Sequence, residues 1–371
     1  MGTARLDCSY FHPLHFTVAS AISLPMSGTS RSVAARENNP AGRASFEKAA
    51  FIAAKFAVTA GCFWYLSRQI DIAQVFAALP GLNFRWAALA LGIALIQIPL
   101  VALRWHEIVS VLLPAHERIT RAAVTAITSI GVFFTQVLPS VLGDGIRTWL
   151  LVKLGCDWRN AVKSVILDRA VGAGAMIALT FLILLLPSAL GELGGYRSIV
   201  LVVYGAFLAC GGFFLLFFPV LFSLLQRARY LRWIVALAAD ARALVLGRAS
   251  PIVLGLAFLV HSLTIVAIWL LARAQGMILP VSDAAVLFAV IVGVALVPIS
   301  IGGWGLRELA VVSVLARHGV APEQALLFSV SFGLMQVISS LPGGLVWGLY
   351  GIKPEVAVGT TEQATSAKGH A

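Results

Sequence analysis

Charge is scarce in this chain: Asp, Glu, Lys and Arg make up only 12% of its 371 residues. A soluble globular domain carries about 25%. A larger soluble core does not explain the shortfall, because a surface still has to face water. Cysteine is scarce too. Cys8, Cys62, Cys156 and Cys210 stand far apart, with no CxxC pair and no metal-ligand spacing, which argues against a disulfide framework or a metal site. Cys62 and Cys210 lie in apolar stretches and are expected to be buried small hydrophobes. Catalytic signatures are missing as well: there is no Walker loop, no HExxH and no GxSxG. Gly143-Asp144-Gly145 and Gly302-Gly303-Trp304-Gly305 lack the strand and βαβ context of a nucleotide fingerprint. No cofactor is implied, and the chain is not expected to be an enzyme. Acidic residues are outnumbered, 16 against 27 basic, for a net charge of +11. The basic residues fall in short clusters between apolar runs, not in a stripe interleaved with aromatics. That pattern excludes nucleic acid as a partner and fits the positive-inside bias of membrane proteins.

What the chain has is hydrophobic residues, 60% of the total. A bilayer core of about 30 Å needs about 20 apolar helical residues per crossing. Candidate helices are Ala49–Ser67, Trp86–Leu103, Ala122–Leu138, Val171–Pro187, Ile199–Leu225, Pro251–Ala272, Ala284–Pro298 and Gln324–Tyr350. Residues 1–45 and 352–371 read as disordered polar tails, flanking a polytopic membrane domain over 46–351. His15–Leu24 is weakly apolar, but it lacks a basic n-region and is too short to span, so it is not read as a signal peptide.

Two stretches do not read as loops. One is Pro139-Ser140-Val141-Leu142-Gly143-Asp144-Gly145-Ile146-Arg147. The other is Pro298-Ile299-Ser300-Ile301-Gly302-Gly303-Trp304-Gly305-Leu306-Arg307. Each runs from proline through small or apolar residues to Gly-x-Gly, an aliphatic residue and arginine, and each ends an apolar helix. Together they suggest an internal repeat.

With the basic N-terminal tail in the cytoplasm, a full crossing by Ala122–Leu138 leaves Arg147, Lys153, Arg159, Lys163 and Arg169 outside, against the positive-inside rule. The conflict disappears if the helix breaks at Pro139–Gly145 and returns on Ile146–Leu154. The second motif then enters and returns on the opposite side. The expected fold is all-α integral membrane, with about six full transmembrane helices and two re-entrant hairpins in inverted repeat. Both termini are expected in the cytoplasm. The alternative is that both motifs are interfacial turns after full spans, at the cost of five basic residues on the wrong side.

Arg147 and Arg307 hold matching places in the two motifs. A guanidinium at membrane depth is costly and faces a cavity or a partner. It suits bidentate phosphate contact, or else it snorkels to the interface. Asp144 reads first as the N-cap of the returning helix and second as a partner of Arg147. Asp168-Arg169 and Arg307-Glu308 read as mutual pairs that position their helices, with substrate contact the other option. The candidate substrate-binding residues are therefore Gly143, Asp144, Gly145, Arg147, Asp168, Arg169, Gly303, Gly305, Arg307 and Glu308. His261 reads as an interhelical hydrogen-bonding residue, and Arg104-Trp105 as an interfacial anchor.

Four pieces of the chain, Leu103-Arg104-Trp105, Pro139–Gly155, Ser164–Gly172 and Pro298–Glu308, resemble the membrane domain of the lysylphosphatidylglycerol synthases and its free-standing, flippase-like relatives. The resemblance spans about residues 50–350. It implies a protein of the plasma (inner) membrane that moves or handles phospholipids or related amphiphiles, with membrane lipids as partners and lipid- or glycolipid-biosynthesis enzymes as associates. Only residues 351–371 follow Tyr350 here, so the aminoacyltransferase step of the synthase is not expected. Two further readings stay open: a membrane-embedded transferase acting on a lipid-linked substrate, using Asp144, Asp168 or Glu308, and a non-transporting scaffold of a biosynthetic complex.

Overall fold

The computed structural model describes residues 81–113, 119–137, 140–185, 196–225, 232–296 and 304–350. Of the expected first span only Trp64, which is helical, is described, with helical Arg68 just beyond it; the two tails and Gly303 lie outside the described residues. Ten helices and no strand occur among the described residues. They are α1 Phe84–Leu112, α2 Arg121–Val137, α3 Ser140–Lys153, α4 Trp158–Leu184 and α5 Tyr196–Leu225, then α6 Arg232–Leu246, α7 Ser250–Ala274, α8 Val281–Leu296, α9 Leu306–Leu315 and α10 Pro322–Tyr350. Four of them, α1, α4, α7 and α10, are long and apolar enough to cross a membrane, and α5 carries the apolar stretch Leu201–Phe217. The fold is that of an all-α membrane protein.

Local chemistry sets the ends. The Asn83 side chain accepts the Arg85 N–H at 3.1 Å and starts α1. Asp157 does the same for Arg159 and starts α4, leaving fewer orphan donors at each terminus. Pro251 sits in the first turn of α7, where its missing N–H costs nothing. Pro99 and Pro342 lie inside α1 and α10, a placement membrane helices tolerate because neighbours re-satisfy the freed carbonyls.

Several expected boundaries shift. α1 continues past Leu103 to Leu112 because Arg104 and Trp105 are buried rather than interfacial. α4 begins at Trp158, so Asp168-Arg169 lies within it and does not open it. The basic connection after α5 contains a helix, α6, whose Asp240 accepts from Lys163 of α4 at 2.8 Å. Cys210 is exposed on α5, where an apolar thiol meets lipid at little cost, while Cys156 is buried.

The first Gly/Pro element is also corrected. α3 starts at Ser140, so Gly143, Asp144 and Gly145, expected within the break, are helical. Asp144 therefore does not cap α3. Gly143 is needed for close approach instead: a Cβ there would run into Thr135 and the Gly131 carbonyl of α2. Gly145 points away, with nothing within 4 Å of a Cβ built on it.

The core helices run in two directions, α1 and α10 one way and α4 and α7 the other. The Asn83 N–H donates to the Ala274 carbonyl at 2.8 Å, Trp86 meets Trp269 edge-on, and Gln97 donates to Val260 and Thr264, so α1 and α7 are antiparallel. α4 is antiparallel to α1 through Arg104–Asp168 and Trp105–Ser164. α10 begins beside the end of α7, where Gln324 donates to the Gln275 carbonyl and Gln275 to Ser331. Against this frame stand two hairpins, α2–α3 and α8–α9. At 1.5 Å per residue α2 and α3 rise about 25 and 21 Å, and α8 and α9 about 24 and 15 Å. All four fall short of a hydrocarbon core of about 30 Å.

The hairpins open toward opposite ends. α3 turns into α4 at Gly155, whose φ of +93° favours glycine, and Arg121 at the foot of α2 lies 3.8 Å from Glu107 near the end of α1. α8 instead starts beside the end of α7, where Trp269 donates to the Leu279 carbonyl. α9 runs antiparallel to α10 from Arg307, which reaches Ser329. The two tips thus approach the middle of the bundle from opposite directions.

Candidate functional site

Each hairpin carries one buried arginine on its returning helix, and each arginine lies over a tryptophan. Arg147 on α3 sits with its guanidinium carbon 4.1 Å from the Trp105 ring centre. Arg307 on α9 sits 4.5 Å from that of Trp304. A glycine on a facing helix makes room for each. A Cβ at Gly131 of α2 would occupy the place of the Arg147 Cγ and Cδ, and one at Gly333 of α10 would meet the Arg307 guanidinium and the Trp304 ring. Arginine, tryptophan, carboxylate and facing glycine recur in both halves, so the repeat seen in the sequence is a repeat of local packing as well.

The electrostatics of the two copies differ. In the first, Asp168 is only 2% exposed and serves two arginines. Its Oδ1 accepts from Arg104 Nε at 2.9 Å and its Oδ2 from Arg147 Nη2 at 3.1 Å. Asp144 accepts from Arg169 at 2.7 and 2.9 Å, and lies 3.7 Å from Arg147 Nη1. Three guanidiniums thus face two carboxylates, which leaves one positive charge uncompensated within the cluster. Arg147 Nε is buried and has no hydrogen-bond partner among the described residues. Side-chain exposure rises from 2% at Asp168 through 23% at Asp144 to 53% at Arg169, so the cluster opens outward between α3 and α4.

The second cluster balances. Arg307 donates to Glu308 Oε1 at 2.6 and 3.0 Å, and Glu308 Oε2 accepts the Gly305 N–H at 2.6 Å. Ser329 of α10 bridges the pair, accepting from Arg307 and donating to Glu308 Oε1 at 3.2 Å. Gly305 has φ of +87°, a backbone state suited to glycine, and it places its N–H on the carboxylate that closes the first turn of α9. The expected mutual pair Arg307–Glu308 is present. The expected pair Asp168–Arg169 is not: Asp168 turns to Arg104 and Arg147, and Arg169 to Asp144, all on other helices.

Of the expected residues, the fold brings together Asp144, Arg147, Asp168 and Arg169, and separately Gly305, Arg307 and Glu308. Gly143 packs the hairpin and Gly145 lies outside the cluster. Arg104, expected as an anchor, is a buried member of the first cluster. Trp105, expected with Arg104 as an anchor, is buried under Arg147 instead; Ser164, Gly131, Ser329 and Gly333 were not anticipated. The clue was charge set within apolar runs, at Arg104 and at Asp168-Arg169, which demands partners, although the sequence does not say which. His261 bonds across helices as expected, its Nε2 2.9 Å from the Gly172 carbonyl.

Helices that cross a bilayer, two oppositely directed short-helix hairpins and buried arginine–carboxylate clusters define a multi-pass membrane protein with a polar interior. Its broad class is one whose membrane-embedded arginines are held by designed partners. The chain belongs to the family described as the lysylphosphatidylglycerol synthase TM region, whose model matches residues 52–344. Membership implies a function related to membrane lipids. No curated protein and no solved structure matches the chain.

Proposed function

We propose that the protein is a plasma-membrane transporter of phospholipid or a lipid-like amphiphile, in which the anionic headgroup passes the Arg104–Arg147–Arg169 cluster while the chains stay in lipid. The observation that carries this reading is the uncompensated positive charge of that cluster together with the unpartnered Arg147 Nε. A buried guanidinium with a free donor, in a low dielectric, favours a phosphate oxygen strongly. The outward opening past Asp144 and Arg169 supplies a route from the surface. On this reading the balanced Arg307–Glu308 pair braces the second hairpin. Arg121, Lys153, Arg159 and Lys163 gather at the end where the first hairpin opens, which supports placing that end, and with it both termini, in the cytoplasm. The reading assigns no catalytic step to the chain.

The test is reconstitution into proteoliposomes with fluorescent anionic and zwitterionic lipids. Wild type should move the anionic lipid between leaflets, and Arg147→Gln should slow it by at least about tenfold while still folding, the effect of losing roughly 1.4 kcal/mol of headgroup interaction. Unchanged translocation in folded Arg147→Gln would sink the reading and favour a scaffold. Product turnover in detergent, without bilayer asymmetry, would favour a membrane-embedded transferase.

A further inference from the structure

A second feature lies away from both arginine clusters. Between α4, α5 and α8 runs a cleft of about 420 Å³, lined among others by Thr180, Val203, Tyr204, Ala289 and Gly293. Its walls are almost wholly apolar, and it is continuous with an exposed apolar face of α5, where Val202 and Phe207 are 70% and 63% exposed. Its lining on α8 runs from Ala285 to Val294, about 13 Å at 1.5 Å per residue.

One polar atom in this cleft is out of place. Thr125, Thr128, Thr135, Thr148 and Thr264 all return their hydroxyls to the carbonyl one turn earlier, at 2.8 to 3.0 Å. Thr180 does not. It is 2% exposed, it lines the cleft, and its hydroxyl has no partner among the described residues. A buried hydroxyl without a partner is costly in hydrocarbon. Thr180 is one turn from the end of α4 at Leu184. α4 rises about 40 Å over its 27 residues, so centred on a hydrocarbon core of about 30 Å it would put Thr180 at the core's edge, where the ester carbonyls of a phospholipid sit.

We infer that this cleft is a binding site for one acyl chain of a glycerophospholipid, with the chain lying along α8 and its ester carbonyl accepting from the Thr180 hydroxyl. The inference requires only that the helices span a bilayer. It does not depend on transport through the arginine cluster, so either can fail alone.

The full chain in nanodiscs containing a phospholipid with a mid-chain photoreactive diazirine tests it, with adducts mapped by mass spectrometry. Adducts should concentrate on the α8 segment around Ala289–Val294, in excess over the outer face of α5 at Phe213 and Phe217. Thr180→Val keeps the side-chain shape and removes the donor. It should lower the α8 yield about fivefold, the effect of one hydrogen bond, and leave the α5 yield unchanged. Ala289→Phe, which fills the cleft, should abolish it. An α8 yield no higher than that of the outer face, or one indifferent to both substitutions in folded protein, would overturn the site. Displacement of the adducts by excess free fatty acid would overturn the phospholipid assignment.

Discussion

Asp168 illustrates how few residues hold the first hairpin in place. Both its oxygens are committed, one to Arg104 of α1 and one to Arg147 of α3, and all three side chains are buried. Removing one partner of a buried pair leaves the other charged and unsatisfied, at a cost of about 3–5 kcal/mol. Asp168→Asn should therefore lower the detergent melting temperature sharply. Arg104→Leu combined with Asp168→Leu should cost less than the sum of the two single changes, because the charges leave together. A double-mutant cycle checks this, with a coupling of roughly 0.5–3 kcal/mol expected; strictly additive losses would mean the pair does not act as a unit. Arg147→Lys should keep the fold but not the function of Arg147. An ammonium has no planar fork to lie over Trp105 while addressing Asp168 and a phosphate, so its translocation rate should fall in the same assay.

At the scale of elements, glycines decide how closely the helices approach, and only some of them matter. A Cβ at Gly143 would meet the Gly131 carbonyl at 2.8 Å, and one at Gly343 of α10 would run into the Ser129 backbone of α2. Gly143→Ala should destabilise by about 1–3 kcal/mol, the usual range for overpacking. Gly145→Ala, with open space around it, should be neutral or stabilising by up to about 1 kcal/mol from helix propensity. Thermal melts of the two variants side by side check the contrast. The sequence showed that Gly143 and Gly145 belong to one motif but not that their roles differ, because the difference arises from which face of α3 meets α2. The same blindness moved the break. A Gly-x-Gly beside proline reads as a turn, yet Gly143 and Gly145 are helical once α2 and α3 pack face to face. Spans were legible wherever apolar residues ran unbroken. They were misjudged where a charge interrupted the run, as at Arg104 in α1 and Asp168 in α4, because a window along one helix cannot see a partner on another.

At the scale of the whole molecule, the two hairpins are the same device used twice in opposite directions. Charge bias and the repeated Pro/Gly motif each pointed to that arrangement, and the packing carries it through. The first hairpin is anchored where α1 ends, by Arg121 near Glu107; the second is anchored where α1 begins, by the link from Trp269 to Leu279. A helix pair that enters and leaves on one side turns at membrane depth, where backbone polar groups have to be met inside the protein or by water. Two such pairs from opposite sides divide the bilayer thickness between them, each carrying its arginine below its own surface. This has a direct consequence for accessibility. Thr120, at the foot of α2, and Ala321, just before α10, are both exposed and should face opposite compartments. With the native cysteines replaced by alanine, Thr120→Cys should react with a membrane-impermeant maleimide only in inside-out vesicles, and Ala321→Cys only in right-side-out ones. Labelling of both from one side would mean that one hairpin crosses the bilayer completely, and the inverted arrangement, with the headgroup path built on it, would be lost.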